Sequence, residues 1–185
     1  MATTGEGPQA PETQEPEVMK SLTLGIVGDL GRLFKEHGLG EKPIKIVEAL
    51  VFAMFVVTEA FVSVKKGLDQ AQESLDLFHE IMAEYILSEY FFKNQKAQDM
   101  EEVTDRFQEL RELINQRYQE YRQNFLEDYQ DKQLSFHRTL TSLTGHLLAE
   151  PLPEGEAQDR LVAVFSVKLA KFWSGCMSSF QPEPA

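Results

Sequence analysis

The chain has a single cysteine among its 185 residues. One thiol cannot form a disulfide within the chain, and such sparse cysteine usage is typical of proteins from reducing compartments. Cys176 lies among apolar neighbours in the segment Trp173–Met177, so we interpret it as a buried thiol and not as a nucleophile. A cytoplasmic location is the expectation that follows.

Basic residues are also scarce. There are 18 lysines and arginines against 30 aspartates and glutamates, which gives a formal net charge of −12. Attraction to nucleic acid depends on clustered lysine and arginine, and the largest basic run here is Lys65-Lys66. The charge therefore argues against a nucleic-acid partner and against binding to an anionic membrane surface.

The N-terminal segment lacks the features of a secretory signal. Residues 1–17 contain no basic residue and no apolar run, both of which a signal peptide needs. We predict a disordered acidic tail over residues 1–17, a single helical domain over residues 18–180 and a short tail over residues 181–185. The first tail is rich in glutamate and proline: Glu6, Glu12, Glu15, Glu17, Pro8, Pro11 and Pro16.

No part of the sequence shows the period of two that is typical of strands. Apolar residues recur at steps of three and four, which predicts an all-α protein. The first predicted helix, residues 17–37, also contains three glycines, each of which destabilises a helix by about 1 kcal/mol relative to alanine. They indicate either tertiary support or a close approach of another backbone. The apolar stripe of this helix consists of Leu22, Ile26, Leu30 and Leu33, and its glycines are Gly25, Gly28 and Gly31.

Two much longer helices are predicted next, over residues 43–93 and from Asp99 to just before Pro151. The first contains one breaker, Gly67, and the sequence leaves open whether the helix ends there. The second carries an eleven-residue repeat, which corresponds to about 3.67 residues per turn and a nearly straight helix. A polar connection, residues 94–98, joins them, and a last helix covers residues 156–179. The repeat is Val103, Phe107, Leu110, Ile114, Tyr118, Tyr121, Phe125, Tyr129, Lys132, Phe136, Leu140, Leu143 and Leu147.

The matched lengths of these two helices predict a long antiparallel helical hairpin of about fifty residues per arm. The shorter N- and C-terminal helices would pack at its base, as in a four-helix bundle. Segment 44–64 is apolar on every side, and three surrounding helices at the base would account for that. The other end would be a two-helix stalk that is held together by a heptad seam.

Segment 44–64 also permits a membrane interpretation. Sixteen of its 21 residues are apolar, and a helix of 21 residues is long enough to span a bilayer. Against this, Glu59 would lie inside the hydrocarbon at a cost of about 2.5–3.5 kcal/mol. Glu48, eleven residues earlier, would add a second acidic group on the same helix face. A membrane-associated helical protein therefore stays an alternative.

Glu48, Glu59 and His79 are the candidate buried polar or ligand-binding residues. Carboxylates inside a helical bundle can hold a metal pair when Glu-x-x-His motifs on other helices complete the site. The nearest match, Asp76 to His79, is a single imperfect half of such a motif. We therefore expect both glutamates to pair with basic residues of the first or last helix, or to reach solvent. We predict no metal and no cofactor, and we keep a bundle holding a metal or a small apolar ligand as a further alternative.

Tyr90, Phe91 and Phe92 lie at the predicted tip of the hairpin. Successive residues of a helix point about 100° apart, so three adjacent aromatics cannot all face one seam, and at least one should be exposed. Exposed aromatics are frequent anchors for protein partners. The alternative is that the three side chains cover the turn and bury one another.

No catalytic motif is present in the sequence. The glycines of residues 25–31 lack the spacing and the preceding strand of a phosphate-binding loop, and no nucleophile-elbow pattern occurs. The leading hypothesis is therefore a non-enzymatic helical interaction protein, such as an adaptor, assembly factor or small chaperone. It would bind a protein partner or self-associate.

Overall fold

A computed structural model describes residues 14–36, 45–93, 99–131, 136–148 and 155–181, without the side chains of Tyr129 and Ala157. These ranges contain helices and no strand, which confirms the all-α class. The helices are α1 (Gln14–Glu36), α2 (Ile46–Lys65), α3 (Gln72–Ile86), α4 (Met100–Gln130), α5 (His137–Leu147) and α6 (Glu156–Phe180). Helix α3 continues into a π-helical turn, Leu87–Phe91.

The predicted hairpin of two helices of about fifty residues does not form. The first of them divides after Lys65, because Lys66 adopts the left-handed conformation with φ of 61°. The Gly67 amide then donates to the Val62 carbonyl and the Lys66 amide to the Ser63 carbonyl, which is the Schellman closure of a helix C-terminus. Gly67 therefore ends α2, and the chain turns before α3 begins.

The second long helix divides between Gln130 and His137. Phe136 has a φ of 51°, and its ring stacks on the Phe125 ring with the centroids 5.2 Å apart, so the start of α5 lies against α4. Asp128, which is fully buried, accepts hydrogen bonds from the amides of Arg138 and Thr139. A side chain of α4 thus caps the first turn of α5. Apolar residues of both helices stay in phase across this break, so periodicity alone could not reveal it.

Helix α2 lies at the centre and packs against α1, α4, α5 and α6. Its nine consecutive apolar residues from Ala49 to Val57 are all buried. A helix can bury every face only when other helices enclose it. The expectation that this segment is surrounded by helices is therefore confirmed.

Helices α1 and α6 pack on α2 and touch each other through Phe34 and Phe165, whose rings meet edge to face at 5.3 Å. The glycines Gly25, Gly28 and Gly31 lie on the opposite, exposed side of α1. A Cβ built on any of them would meet no described atom within 4 Å, so no described backbone approaches them closely. The buried stripe of α1 supplies the tertiary support instead.

Two helices are long and apolar enough to cross a bilayer by length and composition. They are α2, of which 72% of the most apolar window is buried, and residues 158–180 of α6, of which 28% is buried. Enclosure by other helices accounts for the apolar composition of α2. Helix α1 begins at Gln14, so residues 14–17 of the predicted N-terminal tail belong to α1. Residues 1–13, the connection 94–98, Lys132 and residues 182–185 lie outside the described ranges.

Candidate functional site

An open groove of about 520 Å³ separates α3 from α4. We call it the α3–α4 groove. Its size is within the range of ligand-binding clefts, and its walls are apolar with a polar floor and charged edges. Thr58 of α2 lies at the bottom. The lining residues are Thr58, Leu68, Gln72, Leu75, Asp76, His79, Glu80, Ala83, Phe107, Arg111, Ile114, Asn115, Tyr118 and Arg122.

The groove exists because α3 and α4 pack mainly on other helices. After the turn at Gly67, α3 packs against α1, and its Phe78 and Met82 are fully buried. Helix α4 packs on α5 and α2, where Tyr121 is fully buried and meets the Phe52 ring edge to face at 5.5 Å. The facing sides of α3 and α4 therefore meet at His79 and Tyr118 and leave an open groove around that contact.

Helices α3 and α4 run antiparallel. His79 and Tyr118 are in contact, so they lie at the same level of the pair. If the helices ran parallel, Phe91 and Met100 would lie roughly 45 Å apart at 1.5 Å per residue. The nine residue steps between them reach about 31 Å at most.

The floor of the groove is a chain of three hydrogen-bonding side chains. His79 Nδ1 lies 2.7 Å from the Leu75 carbonyl, which can only accept, so Nδ1 carries a proton. In the neutral ring, Nε2 then accepts from the Tyr118 hydroxyl at 3.0 Å. The Tyr118 oxygen accepts in turn from the Thr58 hydroxyl at 3.3 Å. The tautomer follows from this network.

Burial keeps both titratable groups of the floor neutral near pH 7. It lowers the pKa of His79, although the hydrogen bond to Leu75 and the charge of Asp76 oppose this. It raises the pKa of Tyr118, which the hydrogen bond from Thr58 opposes. A phenol with a raised pKa is a weak proton donor for catalysis. The floor therefore carries no charge, and because its donors are used within the network, it offers an occupant only the acceptor capacity of the Thr58 and Tyr118 oxygens.

The two edges of the groove carry opposite charges. Asp76 and Glu80 line the α3 side, while Arg111 and Arg122 line the α4 side. Arg122 donates to the Glu59 carboxylate, with its Nε 3.1 Å from Oε1, so its charge is partly neutralised within the chain. Opposite charges on facing edges can orient an occupant.

Glu48 and Glu59 are both paired with arginines of α4. The expected partners were on the first or last helix, so that expectation is wrong about the helix. Glu48 accepts two hydrogen bonds of 2.8 Å from Arg117 in a bidentate pair. Glu59 pairs with Arg122 at the wall of the groove. Glu48 therefore belongs to a separate cluster, away from His79.

That cluster connects α2, α4 and α5. Arg117 also contacts Glu120 at 3.3 Å, and Glu120 accepts hydrogen bonds from Ser142 at 2.5 Å and His146 at 2.8 Å. Burial alone would raise the pKa of Glu120, but these two hydrogen bonds and the charge of Arg117 outweigh it and lower the pKa. Each charged side chain of the cluster has a hydrogen-bonding partner within the chain, so we interpret the cluster as structural.

The three aromatics differ in their surroundings. Tyr90 is 41% exposed and stands edge to face with Tyr85 at 6.1 Å, as the widened π-helical turn permits. Phe91 and Phe92 are half-buried against the core. At least one of the three is therefore exposed, as predicted, and it is Tyr90. Their role in partner binding stays a prediction.

Metal and thiol chemistry find no support among the described residues. No group of three or more histidine, cysteine, aspartate or glutamate side chains comes together within the described ranges. Cys176 is buried, as predicted, and burial raises the pKa of its thiol to about 11. A thiol that stays protonated at neutral pH is a poor nucleophile.

Of the predicted site residues, His79 and Glu59 lie at or beside the groove. Arg111 and Arg122 were not among the predicted site residues, and the eleven-residue repeat placed Phe107, Ile114 and Tyr118 in a core seam. Their helical spacing is the same in a packed seam and in a half-open groove, so only tertiary packing separates the two. No family model, curated protein or solved structure matches this chain.

Proposed function

We propose that this chain is a non-enzymatic helical interaction protein of the cytoplasm, and that its α3–α4 groove receives helical segments of a protein partner. The observation that carries the proposal is an apolar groove open to solvent between two antiparallel helices, with acidic residues along one edge and basic residues along the other. Grooves of this kind commonly take the apolar stripe of an amphipathic helix.

The length of the groove suits such a helix. On α4 the lining runs from Phe107 to Arg122, fifteen residue steps within one helix, which corresponds to about 22 Å, or four turns. Leu68 is 55% exposed and Phe107 is 37% exposed, so large apolar side chains remain available for contact. An occupant would bring an apolar stripe, basic residues facing α3 and acidic residues facing α4.

Site-specific photo-crosslinking in the cells that make the protein tests this proposal. A photoreactive residue replaces Phe107 in the groove, and a matched control replaces Val167, which is 59% exposed on α6. We expect crosslinks from position 107 to map to one helical segment of a polypeptide, with few from position 167. Equal labelling from both positions, or none from position 107, would contradict the proposal.

A small amphiphilic ligand is the second candidate, because an apolar groove ends on the hydrogen-bonding floor of His79, Tyr118 and Thr58. Native mass spectrometry of gently purified protein separates the two. An added small mass that disappears in Phe107→Arg but stays in Val167→Arg would favour the ligand.

Membrane attachment through α2 would instead require its enclosing helices to move away. Sedimentation of the intact chain with membranes tests this alternative.

A further inference from the structure

We infer that the occupant of the α3–α4 groove is a second copy of this chain, placed by a two-fold axis that runs along the groove. The inference rests on the proposed function and names the partner of the same site. Four helices, two from each copy, would then surround both grooves.

The first support is the distribution of charge on the solvent side of the groove. Asp76, Glu80 and Glu84 recur every four residues on α3, and all three are exposed. The corresponding side of α4 carries Arg111 and Arg122, with the neutral Asn115 between them. The α3 edge of the groove is thus acidic, and the lining residues of the α4 edge are basic or neutral.

The second support is that the two charged edges match in height. His79 and Tyr118 are in contact and mark one level of the pair. Asp76 lies three residues before His79 on α3, and Arg122 lies four residues after Tyr118 on α4. Because the helices are antiparallel, these two residues lie at nearly the same level. Arg111 similarly lies within about 3 Å of the level of Glu84.

Charge selects between two ways of pairing this face with itself. A two-fold axis across the groove would place α3 on α3 and α4 on α4, so acids would face acids. An axis along the groove keeps the levels and places α3 of each copy on α4 of the other. Asp76 then faces Arg122 of the second copy, and Glu84 faces its Arg111, while Glu80 lies nearer to the level of the neutral Asn115. An isologous interface needs this self-complementarity.

Exposed apolar side chains supply the remaining contact area. Leu68 and Phe107 lie in opposite ends of the groove, and Met100, seven residues before Phe107 on the same side of α4, is 78% exposed. In the paired arrangement these side chains would be enclosed by the second copy. Their removal from water would favour association, by about 25 cal/mol for each Å² of apolar surface.

Charge reversal and mixing test the inference. Arg111→Glu should place a carboxylate against Glu84 at both equivalent contacts of the dimer. The double variant Glu80→Arg, Glu84→Arg should place one guanidinium group against Arg111 and a second one turn away from it. We expect each to raise the dissociation constant by about 100-fold, tenfold for each contact, when measured by sedimentation equilibrium. A 1:1 mixture of the two should recover a dimer with one chain of each kind, detected by native mass spectrometry.

The natural chain of 21.1 kDa should sediment at twice that mass. Arg160→Glu, an equal charge change on an exposed residue of α6, is the matched control and should leave the dimer intact. Circular dichroism confirms that each variant is folded. Because complementation needs both variants, loss of structure in one chain cannot imitate it.

Three outcomes would overturn the inference: a natural chain that stays monomeric at all concentrations, a dimer that survives both reversals, or variants that do not combine. The photo-crosslinking experiment separates this failure from that of the proposed function. Crosslinks from position 107 to a different protein would keep the groove as a docking site and exclude the second copy. Crosslinks to residues 1–13 of the same chain would exclude both.

Discussion

The centre of the molecule and the α3–α4 pair use apolar residues in different ways. Around α2, apolar side chains face inward from all sides, and the nine residues from Ala49 to Val57 are all buried. Between α3 and α4, apolar side chains line a groove, and two of them, Leu68 and Phe107, are more than a third exposed.

The polar groups follow the same division. In the central part, Glu48 and Arg117 satisfy each other in a bidentate pair. In the groove, polar groups form a floor and two charged edges, with Asp76, Glu80 and Arg111 open to solvent. The apolar side chains of the central part are therefore enclosed within one chain, whereas the groove is a surface with unused capacity for contact.

The largest expected difference between the two regions is the loss of stability when a phenylalanine side chain is truncated. Phe52 is 1% exposed, and Phe52→Ala should lower the free energy of unfolding by about 3–5 kcal/mol, because it leaves a cavity against Tyr121. Phe107→Ala, the same change in the groove, should cost less than about 1 kcal/mol. Urea denaturation followed by circular dichroism measures both. Equal losses would mean that the groove is packed as tightly as the core.

The second difference is in ion pairs. Removing one partner of the Glu48–Arg117 pair leaves a mostly buried charge, so Arg117→Met should cost about 2–4 kcal/mol. Arg106 pairs with Glu109 on the surface of α4, and Arg106→Met should change stability by less than about 0.5 kcal/mol. A double-mutant cycle with Glu48→Gln isolates the coupling. A coupling energy near zero would contradict a structural role.

The third comparison separates the aromatics at the end of α3. Phe91 and Phe92 contact the core, so Phe91→Ser with Phe92→Ser should destabilise the protein by about 2 kcal/mol. Tyr90→Ser should leave stability nearly unchanged, because that side chain is 41% exposed. Thermal unfolding of the three proteins provides the measurement. Only the Tyr90 variant can therefore test partner binding at this position without loss of structure.

The smallest effect concerns pH. Because burial lowers the pKa of His79, the unfolded chain binds a proton at higher pH than the folded chain does. Stability should therefore fall as pH drops below about 6.5, and level off below the folded pKa. His79→Gln should flatten this dependence, whereas His137→Gln, at an exposed histidine, should not. The measurement is the urea midpoint of unfolding at several pH values between 5 and 8. If the midpoint changes with pH to the same extent in all three proteins, the burial of His79 is contradicted.

The sequence predicted the helical class, the enclosure of segment 44–64 and the burial of Cys176, because each depends on composition or on periodicity within one helix. It did not predict the interruptions of the two long helices. A left-handed residue such as Phe136 is favoured by its contact with Phe125, and Asp128 caps α5 across the gap. Both interactions are tertiary, and neither changes the apolar spacing.

The groove could not be predicted for a related reason. Tyr118 and Phe107 have the spacing of a seam, and α3 has an apolar stripe opposite to them. Whether two such stripes meet depends on where α3 is held, and α1 holds it. His79 was identified as a candidate from the sequence. Its partner Tyr118 lies 39 positions later in the chain, and Thr58, the partner of Tyr118, lies 60 positions before Tyr118.

The enclosure of α2 has a consequence for the order of events during synthesis. Helix α6, which covers part of α2, ends about 115 residues after Lys65. At 5–20 residues per second, translation of that stretch takes roughly 6–23 s. During this interval the ribosome-bound chain holds a finished, strongly apolar helix without its final cover. We expect α2 to be the segment that cytosolic chaperones or the membrane-insertion machinery contact first in the nascent chain.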